Sequence, residues 1–412
     1  YQNIQQVENI DTPLSQEMQI ALEAWHRAYL DKPNYKGKQV KTLNIPAFIA
    51  SEISRQVTLE FKWSITAGKD DSTGEDITNP RSEFLSKEFE KLATQLRSKT
   101  EIGCAAGGMT IKPYPKDGHI YFDCATAWSL YPIAFDDDGN LKDVIFRDSY
   151  QDGTTTYTRL ERHTVTDKGI SITQRAFRSN NRESIGVEIP LTDVPQWAEA
   201  EPEALLTDTE GQMFGWFKTA NANNVDIDAP MGVAVFNKAV NIIREADMQY
   251  SRIVWEYEGS ELAIDVDPTV LRPQMNGRGR QEMPQLNERL FRGVDLGDDH
   301  YQVFSPAIRD SALFNGLNQL FMRVEDSCGL ARGTLSDANQ EARTATELRI
   351  VKQRTYATIA DNQRALEHCL RDVVRAMDKY ATMYDLAPAG DYDLSFEWDD
   401  SIITDASQQL GE

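Results

Sequence analysis

The chain has 412 residues, with 43 Lys and Arg against 65 Asp and Glu, for a formal net charge of −22. Such a length supports a sizeable core in two or three domains or one elongated subunit. The charge makes the molecule as a whole repel nucleic acid and anionic membranes, so any contact with a phosphate backbone has to be local.

No apolar run approaches the roughly 18–20 residues of a membrane helix, and no charged-then-apolar leader follows Tyr1, so a soluble chain without a secretion signal is expected. Cys104, Cys124, Cys328 and Cys369 lack CxxC spacing and are expected to be reduced, intracellular thiols.

Residues 14–30 place Leu14, Met18, Leu22, Trp25 and Tyr29 at three- and four-residue steps, which predicts an amphipathic helix ending before Pro33. A second helix is predicted over 46–61, with Pro46 in its first turn and Phe48, Ile49, Ile53, Val57 and Phe61 as its stripe. A third is predicted near 81–98 on Phe84, Leu85, Phe89, Leu92 and Leu96. After Gly103 the period shifts from about 3.6 towards about 2. From 109 to 190, "MTIKPY", "HIYFDCATA", "LYPIAF", "LKDVIFRDSY", "TTYTRLERHTVT" and "ISITQRAF", parted by KDG, DDDGN and DG, predict antiparallel hairpins.

Helical spacing returns over 231–257 through Phe236, Val240, Ile243, Tyr250, Ile253, Val254 and Tyr257, with Gly259 as its stop. Residues 260–305 hold the alternating "ELAIDVD", a Pro- and Gly-punctuated stretch with "NGRGR", and "YQVF", which together predict a small subdomain. A shorter helix is predicted over 309–327 on Leu313, Leu317, Leu320, Phe321 and Val324. The small, polar "CGLARGTLSDANQEARTATEL" then leads into a helix predicted over 344–384 on Leu348, Val351, Ile359, Leu366, Cys369, Val373, Met377 and Tyr380. At 1.5 Å per residue it would reach roughly 60 Å. That length suggests a strut or coiled coil rather than an ordinary packing element.

Catalytic signatures are missing. "GCAAGG" at 103–108 continues with Met-Thr-Ile where a phosphate loop needs Gly-Lys-Ser/Thr. His26, His119, His163, His300 and His368 stand singly, outside any zinc spacing. Hairpin turns account for the carboxylates of "GHIYFD" and "DDDGN" better than a calcium loop does. There is no GxSxG elbow, although a triad dispersed along the chain leaves no local motif. These observations imply no enzyme, metal or cofactor. "RTATELRIVKQR", 343–354, carries four basic residues and one Glu in an otherwise acidic chain. It reads either as a solvated helix face, with Glu347 pairing to Arg343 or Lys352, or as a segment near phosphate.

The order helix, strand-rich insert, short helix, loop and long helix headed by "TATEL" resembles the portal proteins of tailed bacteriophages, particularly siphophages of Gram-positive hosts. The likeness is strongest from 231 to 400. "GLARGTLS" followed by "TATEL" is similar to that family's tunnel loop and the start of its long kinked helix, and "FEWDDSIITD" to the segment after it. "KPYPKDGHIYFDCATAWSLYPIAFDDDGNLKDVIFRD" is similar to its wing β-region.

The resemblance implies an elongated α+β subunit. Its wing would span 1–230, a first stem helix 231–258, a clip 259–305, a second stem helix 306–328 and a tunnel loop 329–342. The long helix and return to the wing would span 343–400, and 401–412 would start a crown that is absent or truncated here. It further implies a ring of twelve copies at one capsid vertex of the virion, assembled in the host bacterial cytoplasm, for genome packaging, retention and ejection. The implied partners are double-stranded DNA, terminase, head-completion or adaptor proteins, and the major capsid and scaffolding proteins. On this resemblance Arg332, Asn339, Gln340 and Arg343 face DNA, and Asn276, Arg278, Arg280 and Glu282 form the clip docking surface. Small polar loop residues gain little by burial, so this loop is expected to be mobile. Two rivals are a coiled-coil scaffold or adaptor and a nucleic-acid-processing enzyme.

Overall fold

The computed structural model describes residues 4–5, 8, 10–37, 39–69, 75–181, 184–207, 209, 211–266, 274–275, 281–282, 291–293, 301–304, 307–337 and 345–398, with the backbone alone at 263, 274–275, 281–282, 291–293, 301 and 345–353. Helix α1 (Gln16–Tyr29) is capped by Ser15, whose side chain accepts from the Met18 amide, and it buries Met18, Leu22 and Trp25. Helix α2 (Ile45–Thr58) carries Pro46 in its first turn and buries Ile49, Ile53 and Val57.

Helix α2 stops short of the predicted 61, because Phe61 opens strand β1 (Phe61–Thr66), paired antiparallel with the chain's last described strand, Asp393–Trp398. There the Phe61 ring packs on Phe396 and Trp398 across the ladder. A short antiparallel pair of two-residue strands, β2 (Gly68–Lys69) and β3 (Asp76–Ile77), follows. The helix predicted near 81–98 is two. Helix α3 (Pro80–Ala93) starts with a reciprocal Asn79–Ser82 capping box, and α4 (Leu96–Ala106) follows a break at Thr94 and Gln95. The Thr94 hydroxyl bonds back to the Lys91 carbonyl at that break.

Strands β4 (Gly108–Lys116) and β5 (His119–Thr126) turn through Asp117 and Gly118, both at positive φ, as the mirror-image hairpin turn requires. Strands β6 (Leu130–Phe135), β7 (Leu141–Asp152), β8 (Thr155–Thr166), β9 (Gly169–Ser179) and β10 (Val187–Ile189) form an antiparallel sheet in sequence order, and β11 (Glu203–Leu206) also pairs with β9. In the DDDGN turn the Asp136 carboxylate accepts the Asp138 and Asn140 amides, so its role is the turn itself. Strand β12 (Gly215–Lys218) pairs with the free side of β4.

"GCAAGG" is a packing device. Gly107 ends α4 in the left-handed conformation, and a Cβ there would lie 2.6 Å from the Gly232 carbonyl oxygen. Only glycine lets the two backbones approach so closely. That approach also corrects the predicted start of the next helix. Residues 231–236 are a buried, non-helical run, with Val233 accepting from the Thr219 hydroxyl at 2.7 Å and the Val235 amide donating to the Cys104 carbonyl at 3.0 Å. Helix α5 (Val240–Gly259) begins only after a short 3₁₀ turn at Asn237–Ala239.

Strand β13 (Ala263–Val266) lies between β16 (Phe291–Gly293), to which it is parallel, and β17 (Tyr301–Phe304), to which it is antiparallel, while β14 (Gln274–Met275) pairs with β15 (Gln281–Glu282). Helix α6 (Asp310–Cys328) returns alongside α5. Helix α7 (Ala345–Met383) has 39 residues, a rise of about 58 Å, and leads to β18 (Asp393–Trp398).

The strut expectation fails for the second half of α7. Leu366, Cys369, Leu370, Val373, Val374 and Met377 are fully buried in the main core, which gathers residues from Leu14 to Phe396. The stripe a coiled-coil partner would need is used inside the chain, which removes the basis for the scaffold alternative. Buried Arg81 clamps the far end of α7, donating to the Asp378 and Pro388 carbonyls and to the Thr382 hydroxyl. A guanidinium there also meets the negative pole of the helix. Cys104, Cys328 and Cys369 are buried free thiols. Burial pushes Cys104 and Cys328 up to about 12, which keeps them protonated and unreactive.

Candidate functional site

Helix α6 ends at Gly329, which takes the left-handed conformation and lets the Leu330 amide return to the Glu325 carbonyl at 2.9 Å. A Cβ at Gly329 would meet the Thr358 hydroxyl at 2.3 Å, so the helix end rests directly on α7. From there residues 330–337 wrap around one carboxylate. Glu325 Oε1 accepts the amides of Gly333 at 3.2 Å, Leu335 at 2.6 Å and Ser336 at 2.8 Å, and Oε2 accepts the Ser336 hydroxyl at 2.8 Å.

Glu325 is fully buried, Leu330 and Ser336 are buried, and the Asp337 amide is held by Asn318 Oδ1 at 2.8 Å. The expectation of a loose segment therefore fails for residues 329–337. Small polar residues gain little by apolar burial, but here their backbone amides are bound by a buried anion, an interaction stronger than a neutral hydrogen bond.

Arg332 projects from this root and makes a two-pronged contact with Asp326, Nε to Oδ1 at 3.2 Å and Nη2 to Oδ2 at 2.8 Å. Arg354, from the first half of α7, reaches the same Oδ1 at 3.3 Å. The Arg332 hydrogen bonds hold the Asp326 carboxyl below its usual range, with the charges of Arg354 and Arg323 adding to the effect. The basic segment heading α7 is thus tied to the loop root through Arg354, a third arrangement beside the solvated face and the phosphate contact weighed from sequence.

Of the eight site residues read from sequence, Arg332 alone has a described side chain. Asn339, Gln340 and Arg343 lie outside the described residues, as do Asn276, Arg278 and Arg280, while Glu282 is described as backbone in β15. Sequence reasoning missed Glu325, Asp326 and Arg354. The available signal was an acidic pair in the last turn of α6, where no basic residue stands and a negative charge opposes the helix dipole. Acidic side chains placed so unfavourably need other partners, and the loop provides them.

A second polar cluster lies between the sheets. Glu161 joins Lys112 Nζ and His163 Nε2, each at 2.6 Å from Oε1, while His163 Nδ1 has no hydrogen-bond partner. Its members are enclosed by Phe146 and Phe214. Its position in the core makes it a structural element.

The family model described as "Phage portal protein, SPP1 Gp6-like" matches residues 20–411, nearly the whole chain. The chain belongs to that family. No curated protein matches it as a relative. Membership makes it a structural, non-enzymatic virion component involved in DNA packaging, which excludes the nucleic-acid-processing enzyme. The portal family also implies an oligomeric ring around a DNA channel. Among the described residues no helix is long and apolar enough to cross a membrane.

Proposed function

We propose that this portal subunit closes a ring of twelve copies in which α5 and α6 form the stem and the loop after α6 faces the DNA. The observation that carries the reading is the two-helix arm. Helices α5 and α6 run antiparallel, joined by Gln249 Nε2 to the Leu313 carbonyl at 3.2 Å and by Glu256 to Arg309 at 2.9 Å. Their ends towards the subunit body are buried at Ile243 and Val324. Their far ends leave Trp255 68%, Phe314 47% and Tyr257 42% exposed. Aromatic area of this size within one copy suits a neighbouring copy in a closed ring.

On this reading residues 1–230 and 343–400 form the wing, 231–258 and 306–328 the stem, 259–305 the clip, 329–342 the tunnel loop and 401–412 the start of a crown region. The clip, with Asn276, Arg278, Arg280 and Glu282, docks terminase during packaging and head-completion proteins afterwards. The wing meets capsid and scaffolding proteins. Terminase supplies the energy of packaging. Arg332, Asn339, Gln340 and Arg343 present sparse cationic and polar contacts to the sliding duplex, while the strongly negative remainder limits binding to phosphate.

The test has two parts. Two-dimensional averages of purified particles should show an annulus with a central hole, and light scattering should report on the order of ten to thirteen subunits. DNA content per head should fall when Arg332 and Arg343 are changed to Glu, or Asn339 and Gln340 to Leu. A stable monomer would refute the ring, and normal DNA content in every variant would refute the tunnel assignment.

A further inference from the structure

Three arginines surround one carboxylate where α6, the loop root and α7 meet. Asp326 takes two donors from Arg332 and one from Arg354, and Arg323, three residues earlier on α6, adds its field. The Asp326 side chain is 24% exposed, whereas Arg332 and Arg354 are 47% and 58% exposed. Glu325 beside it is fully buried and taken up by the loop amides and the Ser336 hydroxyl.

We infer that Asp326 limits the grip of the portal on DNA by holding the guanidinium groups of Arg332 and Arg354 in exchangeable ion pairs. The inference rests on the channel reading above and assigns the residue that regulates it. A phosphate approaching this cluster meets two guanidinium groups whose charge Asp326 already offsets, and it takes the two-pronged Nε–Nη2 edge of Arg332 only by displacing the carboxylate. Exposed ion pairs are weak, equivalent to a factor of about 1.5 to 5 in an equilibrium constant. They can exchange as the duplex moves, yet each one lowers the affinity of its arginine for phosphate. Free arginines at the same place would bind phosphate without sequence preference and would retard sliding.

The geometry also explains why the limit is set here. Arg332 stands on a loop root fixed by Glu325, and Arg354 stands on a helix, so neither backbone can swing its arginine away from Asp326 without breaking other contacts. The aspartate is therefore a positioning residue for both cations, and Asp326→Asn removes its charge at nearly constant shape.

The experiment uses full-chain rings of the parent, of Asp326→Asn and of a triple variant that adds Arg332→Ala and Arg354→Ala. Each is titrated with salt against a short linear duplex, which can enter a channel, and against a closed circle of the same DNA, which cannot thread one. Asp326→Asn should bind the linear duplex about 1.5- to 5-fold more tightly for each arginine freed that meets a phosphate. The slope of log affinity against log salt should steepen by about 0.9 for each additional phosphate neutralised. Circle binding should stay at the parent level, and the triple variant should lose the gain. Parent-like affinity and slope in Asp326→Asn, or a gain that survives in the triple variant, would overturn the inference. A parent ring that binds circle and linear duplex alike would instead count against the channel reading itself.

Discussion

Replacing Glu325 with alanine tests whether the loop root is built as described. The change removes the acceptor of three backbone amides and one hydroxyl from a fully buried position. The Gly333 amide keeps a second acceptor in Ser336 Oγ at 3.1 Å, whereas Ser336 is only 6% exposed, and its amide and hydroxyl hydrogens, like the amide of half-buried Leu335, would lose their acceptor. At about 1–3 kcal/mol for each buried donor left unsatisfied, the local cost is about 2–4 kcal/mol after partial relaxation. Because the lost contacts lie in one segment, the effect should be local opening rather than loss of the main core. Amide exchange read by mass spectrometry should speed up at 333–336 by about 30- to 1000-fold, while peptides covering 366–377 keep their protection. Glu325→Gln should retain part of the protection, since its carbonyl oxygen can still accept amides. Unchanged exchange at 333–336 in the alanine variant would refute the account of the loop.

Three other outcomes follow from the packing. A Cβ at Gly232 would sit 1.9 Å from the Gly107 carbonyl oxygen, so Gly232→Ala should cost about 3 kcal/mol in denaturant unfolding, whereas Gly37→Ala, with nothing within 4 Å, should stay within about 0.5 kcal/mol. Burial lowers the His163 pKa below its ordinary 6.5, against the opposing pull of Glu161 and with a smaller push from Lys112. The unfolded chain therefore takes up a proton that the folded one refuses, so stability is lost as pH falls through about 6.5. Melting temperature should decline between roughly pH 7.5 and 5.5 in the parent and less steeply in His163→Phe. Trp255→Ser should leave the subunit fold intact but weaken each subunit contact by about 2 kcal/mol, raising the concentration at which rings form by more than about tenfold in light scattering.

Local periodicity determined a good deal. Helices α1, α6 and α7 and the hairpins from β4 to β9 were legible because their apolar residues recur at one period over many residues and their turns carry Gly, Asp or Asn. The family, too, was legible in the order of elements and in "GLARGTLS" and "TATEL". What the sequence could not determine were features that depend on distant partners. Phe61 fits a helix stripe and a strand equally well, and only pairing with Trp398, far along the chain, decides for the strand. "MGVAVF" at 231–236 is apolar throughout and has no period, and its non-helical form is set by donors and acceptors on Thr219 and Cys104. The long stripe of α7 looks like a seam for another chain until the sheets and helices around it close over Leu366 to Met377. The loop root shows the same limit most clearly. Composition suggested freedom, and a buried carboxylate on the preceding helix removed it, because hydrogen bonding by a single side chain leaves no repeating pattern in a sequence.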